Sequence, residues 1–249
     1  MANTNSQMIF KRHELKYLLT DTQKYRIIRA MEPFMAADCY GRTTIRSLYF
    51  DTESYRLARR SIEKPVYKEK LRIRSYAQAT PDSMVFVELK KKYRSVVYKR
   101  RLSLSEAQAM QWTGGASCRK PDSQISREID FFLQHYETLH PVVFLSYERE
   151  AFFARDGSDF RVTFDEQIRC REQELSLQCP AWGTLLLPED TVLMEVKCSG
   201  GIPLWMTRIL SDEHLYRSSF SKYGTAYRTV IRPHQKEVSY EPDTLSGSV

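Results

Sequence analysis

Polar and apolar residues alternate along many short stretches of this chain, which is the pattern of half-buried β-strands. The clearest stretch is Tyr67–Tyr76, YKEKLRIRSY, whose cations all fall on one side of a strand: Lys68, Lys70, Arg72 and Arg74. Same-side neighbours on a strand lie roughly 7 Å apart, so these cations repel one another. The row therefore requires a shared anion, a set of carboxylates or open water.

Other predicted strands repeat this arrangement with a few acids added. Their polar side carries Arg12, Glu14 and Lys16; Glu88 and Lys90; Lys99 and Arg101; Arg149; Arg161, Thr163 and Asp165; and Glu195 and Lys197. Their other side is apolar, as in the pair Val87 and Leu89 and the pair Met194 and Val196. Cations dominate the polar side. An ordinary half-buried sheet would instead expose to water a surface on which positive and negative charges are mixed.

Helix signals predict the elements between the strands. Thr20 and Gln23 have capping-box spacing ahead of a helix from Asp21 to Glu32, and Ser105 caps a second, short helix. Three further helices are predicted in ISREIDFFLQHY, after Pro203 and in Phe220–Ile231. The remaining pattern gives about eight strands, which are mostly antiparallel because their links are short.

Eight such strands can close into a barrel and so remove exposed sheet edges. We expect an α+β fold: a closed antiparallel eight-stranded β-barrel with a charged lumen and flanking helices. The apolar sides of the strands would point outward beneath those helices. The lumen would hold water and ions, because burial of so many unpaired cations is prohibitively costly. We predict one domain over residues 1–249, with a core of about 8–232 and short polar tails.

Composition narrows the class of protein. Lys and Arg number 38 and Asp and Glu 31, and the resulting net charge of +7 favours anionic partners. The five cysteines are scattered without CxxC spacing, so neither a disulfide scaffold nor a zinc site is indicated. We find no signal peptide and no run of roughly 20 apolar residues that would span a bilayer. The sequence therefore predicts a cytoplasmic protein without a membrane segment.

Nine short motifs occur in an order that resembles a known family. They are HELKY, SLYFDT, KLRIRSY, FVELKKK, YKRRLSL, SYEREAF, FRVTFD, LMEVK and FSKYG. The chain resembles, from about Phe10 to Ile231, the VTC domain, which is the catalytic domain of polyphosphate polymerases and of their bacterial stand-alone relatives. That domain belongs to the triphosphate tunnel metalloenzymes.

The resemblance implies a set of site residues. Eight cations would contact phosphate and serve catalysis: Lys16, Arg72, Arg74, Lys90, Lys99, Arg149, Arg161 and Lys222. Glu195 would hold Mn²⁺ or Mg²⁺, and Glu14 and Glu88 are either further metal ligands or structural partners of neighbouring cations. Further substrate contacts are expected from Lys70, Arg101, Lys197 and Ser219. Ser219 stands where the polymerase members carry a second lysine.

The predicted function is metal-dependent phosphoryl transfer from ATP to a growing inorganic polyphosphate chain. Two alternatives stay open: a triphosphate or nucleotide hydrolase in the same tunnel, and a module that binds polyphosphate or nucleotide without turnover. Nucleic acid is not an expected partner, because the aromatic residues lie mainly at strand ends and on the apolar side. Some residues have simpler interpretations: Lys91, Lys92 and Arg94 as surface charge of a hairpin, and Asp165 as the cap of a turn.

Overall fold

The computed structural model describes residues 13–63, 65–94 and 96–238, with side chains up to residue 235. The predicted start of the first strand, with Phe10 and Arg12, lies outside these residues. Among the described residues, none of the helices combines the length and the apolar character that a membrane span needs.

Ten strands form one sheet. In chain order they are β1 (His13–Thr20), β2 (Met35–Ala37), β3 (Thr43–Asp51), β4 (Tyr67–Ser75), β5 (Met84–Tyr93), β6 (Val96–Ser105), β7 (His140–Ala154), β8 (Arg161–Arg171), β9 (Thr184–Leu185) and β10 (Thr191–Cys198). The sequence predicted about eight. The two extra strands, β2 and β9, have three and two residues, too few to show alternation.

The helices are α1 (Asp21–Met31), α2 (Arg56–Glu63), α3 (Glu106–Thr113), α4 (Gln124–Tyr136), α5 (Leu204–Asp212), α6 (Lys222–Ala226) and α7 (Arg232–Val238), with a π-helical turn at Tyr227–Ile231. Thr20 and Ser105 form the side-chain caps of α1 and α3, as their spacing predicts. The chain after Pro233 was expected to be a polar tail, but α7 extends past Pro233 to Val238.

The predicted closed barrel is wrong, because the sheet is open. Its main strands follow the order β1-β10-β8-β7-β3-β4-β5-β6, every pairing is antiparallel, and β2 and β9 are attached to β7 and β8. Within the described part of the chain, no backbone ladder joins the two end strands, β1 and β6. Alternation is the same in an open sheet and in a barrel, so the sequence pattern could not decide closure.

The open sheet is nevertheless strongly curved. In this order β1 is the first strand and β5 is the seventh. In a flat sheet they would lie roughly 29 Å apart at the usual strand spacing. Yet Lys90 Nζ of β5 lies 3.2 Å from Glu14 Oε2 of β1. The sheet therefore curls on itself, and side chains rather than backbone groups bridge the opening.

A crossing segment occupies the edge of β1. After α5, residues 213–221 pass this edge toward α6, and the Ser218 amide donates to the Lys16 carbonyl at 2.7 Å. Lys16 Nζ in turn donates to the Phe220 carbonyl at 3.0 Å. A backbone acceptor that β6 would need for closure is thus already bonded. We attribute the open sheet to this crossing.

Two helical layers cover the outer face of the sheet. Helices α1 and α5 pack over β1, β10 and β8, with Ile27 and Met206 fully buried there. Helices α3 and α4 pack over β4, β5 and β6, where Trp112 and Ile129 meet the apolar side that includes Ile73. The charged side of the same strands is the opposite face, which we call the inner face.

Part of the inner face is apolar and carries α6 and the π-helical turn. Tyr223 of α6 stacks on Tyr49 of β3 with ring centroids 4.7 Å apart. Ile45, Leu193 and Ile231 belong to the same buried cluster. This packing fixes α6 inside the curve of the sheet and so determines where the adjacent Lys222 lies.

Asp51 at the end of β3 ties these parts together. Its fully buried carboxylate accepts from the Leu57 amide at 2.9 Å and the Ala58 amide at 2.8 Å, in the first turn of α2. It also accepts from the Tyr223 hydroxyl at 2.5 Å. One side chain therefore links β3 to α2 and to α6.

We expect Asp51→Ala to lower the free energy of unfolding by about 3 kcal/mol, because four buried donors, the Thr52 amide among them, lose their acceptor. Tyr223→Phe removes one of these bonds and should cost about 1 to 2 kcal/mol. Urea denaturation measures both values. Equal losses in the two variants would contradict the bridging role of Asp51.

Candidate active site

Among the described residues, charged side chains of seven strands and α6 gather on the inner face. The cations are Lys16, Lys70, Arg72, Arg74, Lys90, Lys99, Arg101, Arg149, Lys197 and Lys222, and the carboxylates are Glu14, Glu88, Asp165 and Glu195. Ten cations thus face four carboxylates. This excess of six is close to the +7 net charge of the whole chain.

Glu88 is the centre of the first cluster. It is 1% exposed, and its two oxygens contact four cations from the two neighbouring strands, β4 and β6. Oε2 lies 2.7 Å from Arg72 and 3.8 Å from Arg74, and Oε1 lies 2.7 Å from Lys99 and 2.6 Å from Arg101. Burial alone would raise the pKa of Glu88, but Arg72 and Arg74 hold it far below its usual range.

Tyrosine hydroxyls fix the two arginines of β4. Arg72 Nη1 donates to the Tyr49 hydroxyl at 2.7 Å, and Arg74 Nη2 donates to the Tyr147 hydroxyl at 3.2 Å. Three buried polar atoms of the inner face, Ser47 Oγ, Arg74 Nε and Thr163 Oγ1, have no hydrogen-bond partner among the described residues.

Glu195 and Asp165 form the second cluster. Asp165 is fully buried, and both its oxygens are held by Arg149, at 2.5 and 2.6 Å, with Lys222 on Oδ2 at 2.5 Å. Glu195 is surrounded by four cations at longer distances: Lys16 at 3.4 Å, Lys222 at 3.3 Å, Arg149 at 3.4 Å and Lys197 at 3.1 Å. Burial opposes ionisation, yet Lys222 and Lys197 keep the pKa of Glu195 well below normal.

Glu14 extends the second cluster across the opening of the sheet to β5. Its oxygens lie 3.3 Å from Lys16 Nζ and 3.2 Å from Lys90 Nζ. Lys16 reaches Glu195 as well, so a continuous chain of ion pairs runs from β10 through β1 to β5.

Lys70 lacks such compensation. Among the described residues it has no carboxylate within ion-pair distance; its ammonium instead donates to Ser221 Oγ at 3.2 Å and lies 5.5 Å from the centre of the Tyr223 ring. Burial, followed by the charges of Lys90 and Lys16, lowers the pKa of Lys70 well below that of an ordinary lysine. An uncompensated, partly buried ammonium among other cations marks the place where the inner face lacks an anion.

The comparisons with known proteins agree with this geometry. The VTC domain family model matches residues 11–231. The chain belongs to the VTC domain family. No curated protein sequence matches it.

Solved structures of two proteins are similar in fold to this VTC domain. A candidate adenylate cyclase from Bacillus halodurans is 14% identical, with a TM-score of 0.53 over 89% of this chain and 97% of that chain. A candidate adenylyl cyclase from Hippeastrum, described as having a dominant triphosphatase activity, is 15% identical, with a TM-score of 0.50 over 86% and 94%. These likenesses show the fold. Membership of the VTC domain family supports phosphoryl transfer or triphosphate hydrolysis as the role of the chain.

Two residues predicted for the VTC site lie away from the clusters. Arg161 is on the inner-face side of β8, but its side chain is 53% exposed and pairs with Asp38 at 3.6 Å. Ser219 is exposed in the crossing segment, whereas Ser221 is the serine that contacts Lys70. The other predicted site residues converge on the inner face, where their roles in catalysis and binding stay predictions.

The sequence interpretation missed three contributors. Asp165 does not cap a turn: it lies within β8 opposite Arg149, and its parity with Arg161 and Thr163 was the available signal. Tyr49 and Tyr147 were missed because aromatic residues were assigned to the apolar sides of strands. Their rings are buried, and only their hydroxyls reach the arginines.

The fit of a divalent metal differs among the predicted carboxylates. Within the described part of the chain, no three acidic, histidine or cysteine side chains are arranged as a preformed metal cage. Both oxygens of Glu88 are taken by close cations, which favours a structural role. Glu195 and Glu14 have longer contacts and flank Lys16. They fit the common Mg²⁺ arrangement, in which one or two carboxylates act together with substrate phosphates.

We predict that Lys70→Met stabilises the free protein by about 1 kcal/mol and weakens tripolyphosphate binding at least tenfold. A lysine with a lowered folded-state pKa costs stability wherever the unfolded lysine is charged, so its removal relieves that cost. Urea denaturation and calorimetric titration measure the two effects. Lys91→Met, on the other side of β5 where Lys91 pairs with Glu128 at 3.6 Å, is the matched control. Lower stability of Lys70→Met would contradict this interpretation.

We predict a pH-dependent affinity controlled by Lys99. Burial lowers the pKa of Lys99 to about 7, although Glu88 acts in the opposite direction. Above about pH 7 an anion must therefore bring a proton to Lys99 when it binds, and affinity should fall by up to about tenfold per pH unit. Lys99→Arg keeps the charge and should lack this part of the pH dependence. Calorimetric titration with tripolyphosphate, without divalent metal, tests it, and identical pH profiles would exclude a role of Lys99.

Proposed function

We propose that this VTC domain transfers a phosphoryl group from ATP to a growing inorganic polyphosphate chain. The observation that supports this most directly is the inner face itself, where ten cations from separate elements face only four carboxylates. Such a surface is suited to an extended or multiply charged anion. A single small anion would leave most of its cations without a partner.

Phosphoryl transfer demands mainly positioning and the neutralisation of charge on phosphate oxygens. The arginines are fixed for this purpose. Arg72 is held by Glu88 and Tyr49, and Arg149 is held by Asp165, so each planar guanidinium keeps one orientation. Remaining N–H groups of such a guanidinium can bind two phosphate oxygens at once. The lysines Lys16, Lys70 and Lys222 supply compact point charges around them.

Glu195, with Glu14 beside it, would hold Mg²⁺ or Mn²⁺ together with oxygens of the substrate. When bound, the ion supplies positive charge that bridges phosphate oxygens. The chain's own contribution is to keep Glu195 ionised through Lys222 and Lys197. It also keeps the site shielded by α6 on one side.

The polyphosphate acceptor is itself an anion, so a polymerase must bring two negatively charged reactants together. The repulsion between the two reactants is offset only when the inner face carries more positive charge than is needed to neutralise one of them. The excess of six cations and the unpaired Lys70 are consistent with this demand. The proposal therefore assigns the donor phosphates and the acceptor chain to the same inner face.

Triphosphate hydrolysis is the second candidate. It is favoured by the exposed Ser219, which stands where polymerase members carry a second lysine near Lys222. It is also favoured by the apolar packing of α6 on β3, which leaves less of the inner face for a long chain. The dominant triphosphatase activity ascribed to the Hippeastrum protein of the same fold is in line with this alternative.

We expect purified protein incubated with ATP and Mn²⁺ to produce phosphate chains that a polyacrylamide gel resolves. Arg72→Ala and Glu195→Ala should each lower turnover by about 100-fold or more, because charge stabilisation at the reacting phosphate is lost. Lys91→Met, whose lysine faces the other side of β5, should retain full turnover. Release of free phosphate without chains would reject the polymerase and support hydrolysis. Binding of tripolyphosphate without any turnover would reject both enzymatic functions.

A further inference from the structure

Asp165 has a different environment from the other carboxylates of the inner face. It is fully buried in the middle of β8, directly opposite Arg149 of β7. Among the described residues its close partners are two cations, Arg149 at 2.5 and 2.6 Å and Lys222 at 2.5 Å. It is therefore too enclosed to meet a substrate itself.

The same two cations also touch Glu195, but less closely. Lys222 lies 3.3 Å and Arg149 lies 3.4 Å from Glu195 oxygens, beyond the normal length of a charged hydrogen bond. Asp165 is thus the principal partner of both. Without its charge, two partly buried cations would have Glu195 as their shared carboxylate and would move onto it.

Tyr147 completes the arrangement from the other side. The Lys222 ammonium lies 4.5 Å from the centre of the Tyr147 ring, and the Arg149 guanidinium carbon lies 5.1 Å from it. Each cation is therefore fixed between an aromatic face and a buried carboxylate. Both retain N–H donors that Asp165 does not use, since an ammonium has three and a guanidinium five.

We propose that Asp165 is a positioning residue, which aims Lys222 and Arg149 at a bound phosphate group and keeps them from closing onto Glu195. This inference rests on the proposed phosphoryl-transfer function, in which both cations and Glu195 take part. Asp165 itself touches neither substrate nor metal. Its effect on the reaction passes through the two cations.

Asp165→Asn separates positioning from simple electrostatics. Loss of one negative charge makes the site more positive, so the affinity for tripolyphosphate should stay the same or rise. Turnover should nevertheless fall by about 100-fold, because misdirected groups lose their transition-state contacts. Turnover per folded protein equal to that of the wild type would overturn the proposal, as would a loss confined to affinity.

Glu69→Gln is the matched control for removal of a buried carboxylate. Glu69 lies on the outer side of β4 and accepts from the Tyr67 hydroxyl at 2.5 Å and the Tyr136 hydroxyl at 2.7 Å. This variant should lose stability and keep its turnover. A loss of turnover as large as that of Asp165→Asn would show that general destabilisation explains both.

Crystal structures provide a readout that does not depend on activity. In Asp165→Asn we expect the Lys222 ammonium to have moved to Glu195, and unchanged positions of both cations would overturn the proposal. If Asp165→Asn does not fold, Glu195→Gln decides: both cations should remain on Asp165, and their departure would refute its role. Absence of turnover in the wild-type protein would reject the proposed function, while these structures would still test the positioning.

Discussion

Repulsion among the cations of the inner face is the constraint to which the rest of the molecule is fitted. Four carboxylates offset it in part, because each is shared by two or more cations and none serves a single partner. Glu88 alone contacts four. Sharing of this kind holds the cations in place without neutralising them. The face keeps a net positive charge, which has to be met by water or by an anion.

The placement of the helices follows from this constraint. Since the inner face cannot be packed dry along its charged part, the apolar sides of the strands form two cores on the outside, beneath α1 with α5 and beneath α3 with α4. Only the apolar end of the inner face, around Tyr49 and Ile45, accepts a helix. The chain reaches it by crossing the edge of β1. The crossing that brings Lys222 to the site is thus the same feature that leaves the sheet open.

The sequence allowed the local part of this arrangement to be predicted. Alternation placed Arg72 and Arg74 on one side of β4, Glu88 and Lys90 on one side of β5, and their apolar neighbours on the other. Closure of the sheet was not predictable, because alternation does not show what lies along the edge of β1, where residues about 200 positions apart, Lys16 and Ser218, are hydrogen-bonded. The direction of a side chain near a strand end was not predictable either. Arg161 lies on the inner-face side of β8, as its parity predicts, but its side chain turns to Asp38. Asp165 was misjudged although it shares its side of β8 with Arg161 and Thr163, because the sequence does not show that Arg149 and Lys222 meet there.

The distances among these groups bear on how an anion enters. A phosphate that binds near Lys70 has no carboxylate to displace there, whereas at Arg72 it meets a guanidinium already bonded to Glu88. Entry at Lys70 therefore relieves repulsion at once, while contact with Arg72 and Arg149 uses donors that their carboxylates leave open. Carboxylates at 2.5–2.8 Å hold the arginines as a fixed frame, and the longer contacts of Glu195, at 3.1–3.4 Å, yield first. Lys16 and Lys197 are consequently the part of the site that an arriving anion rearranges. The fixed part, against which it is aligned, consists of Arg72, Arg149 and Lys222, which Asp165 holds at 2.5 Å.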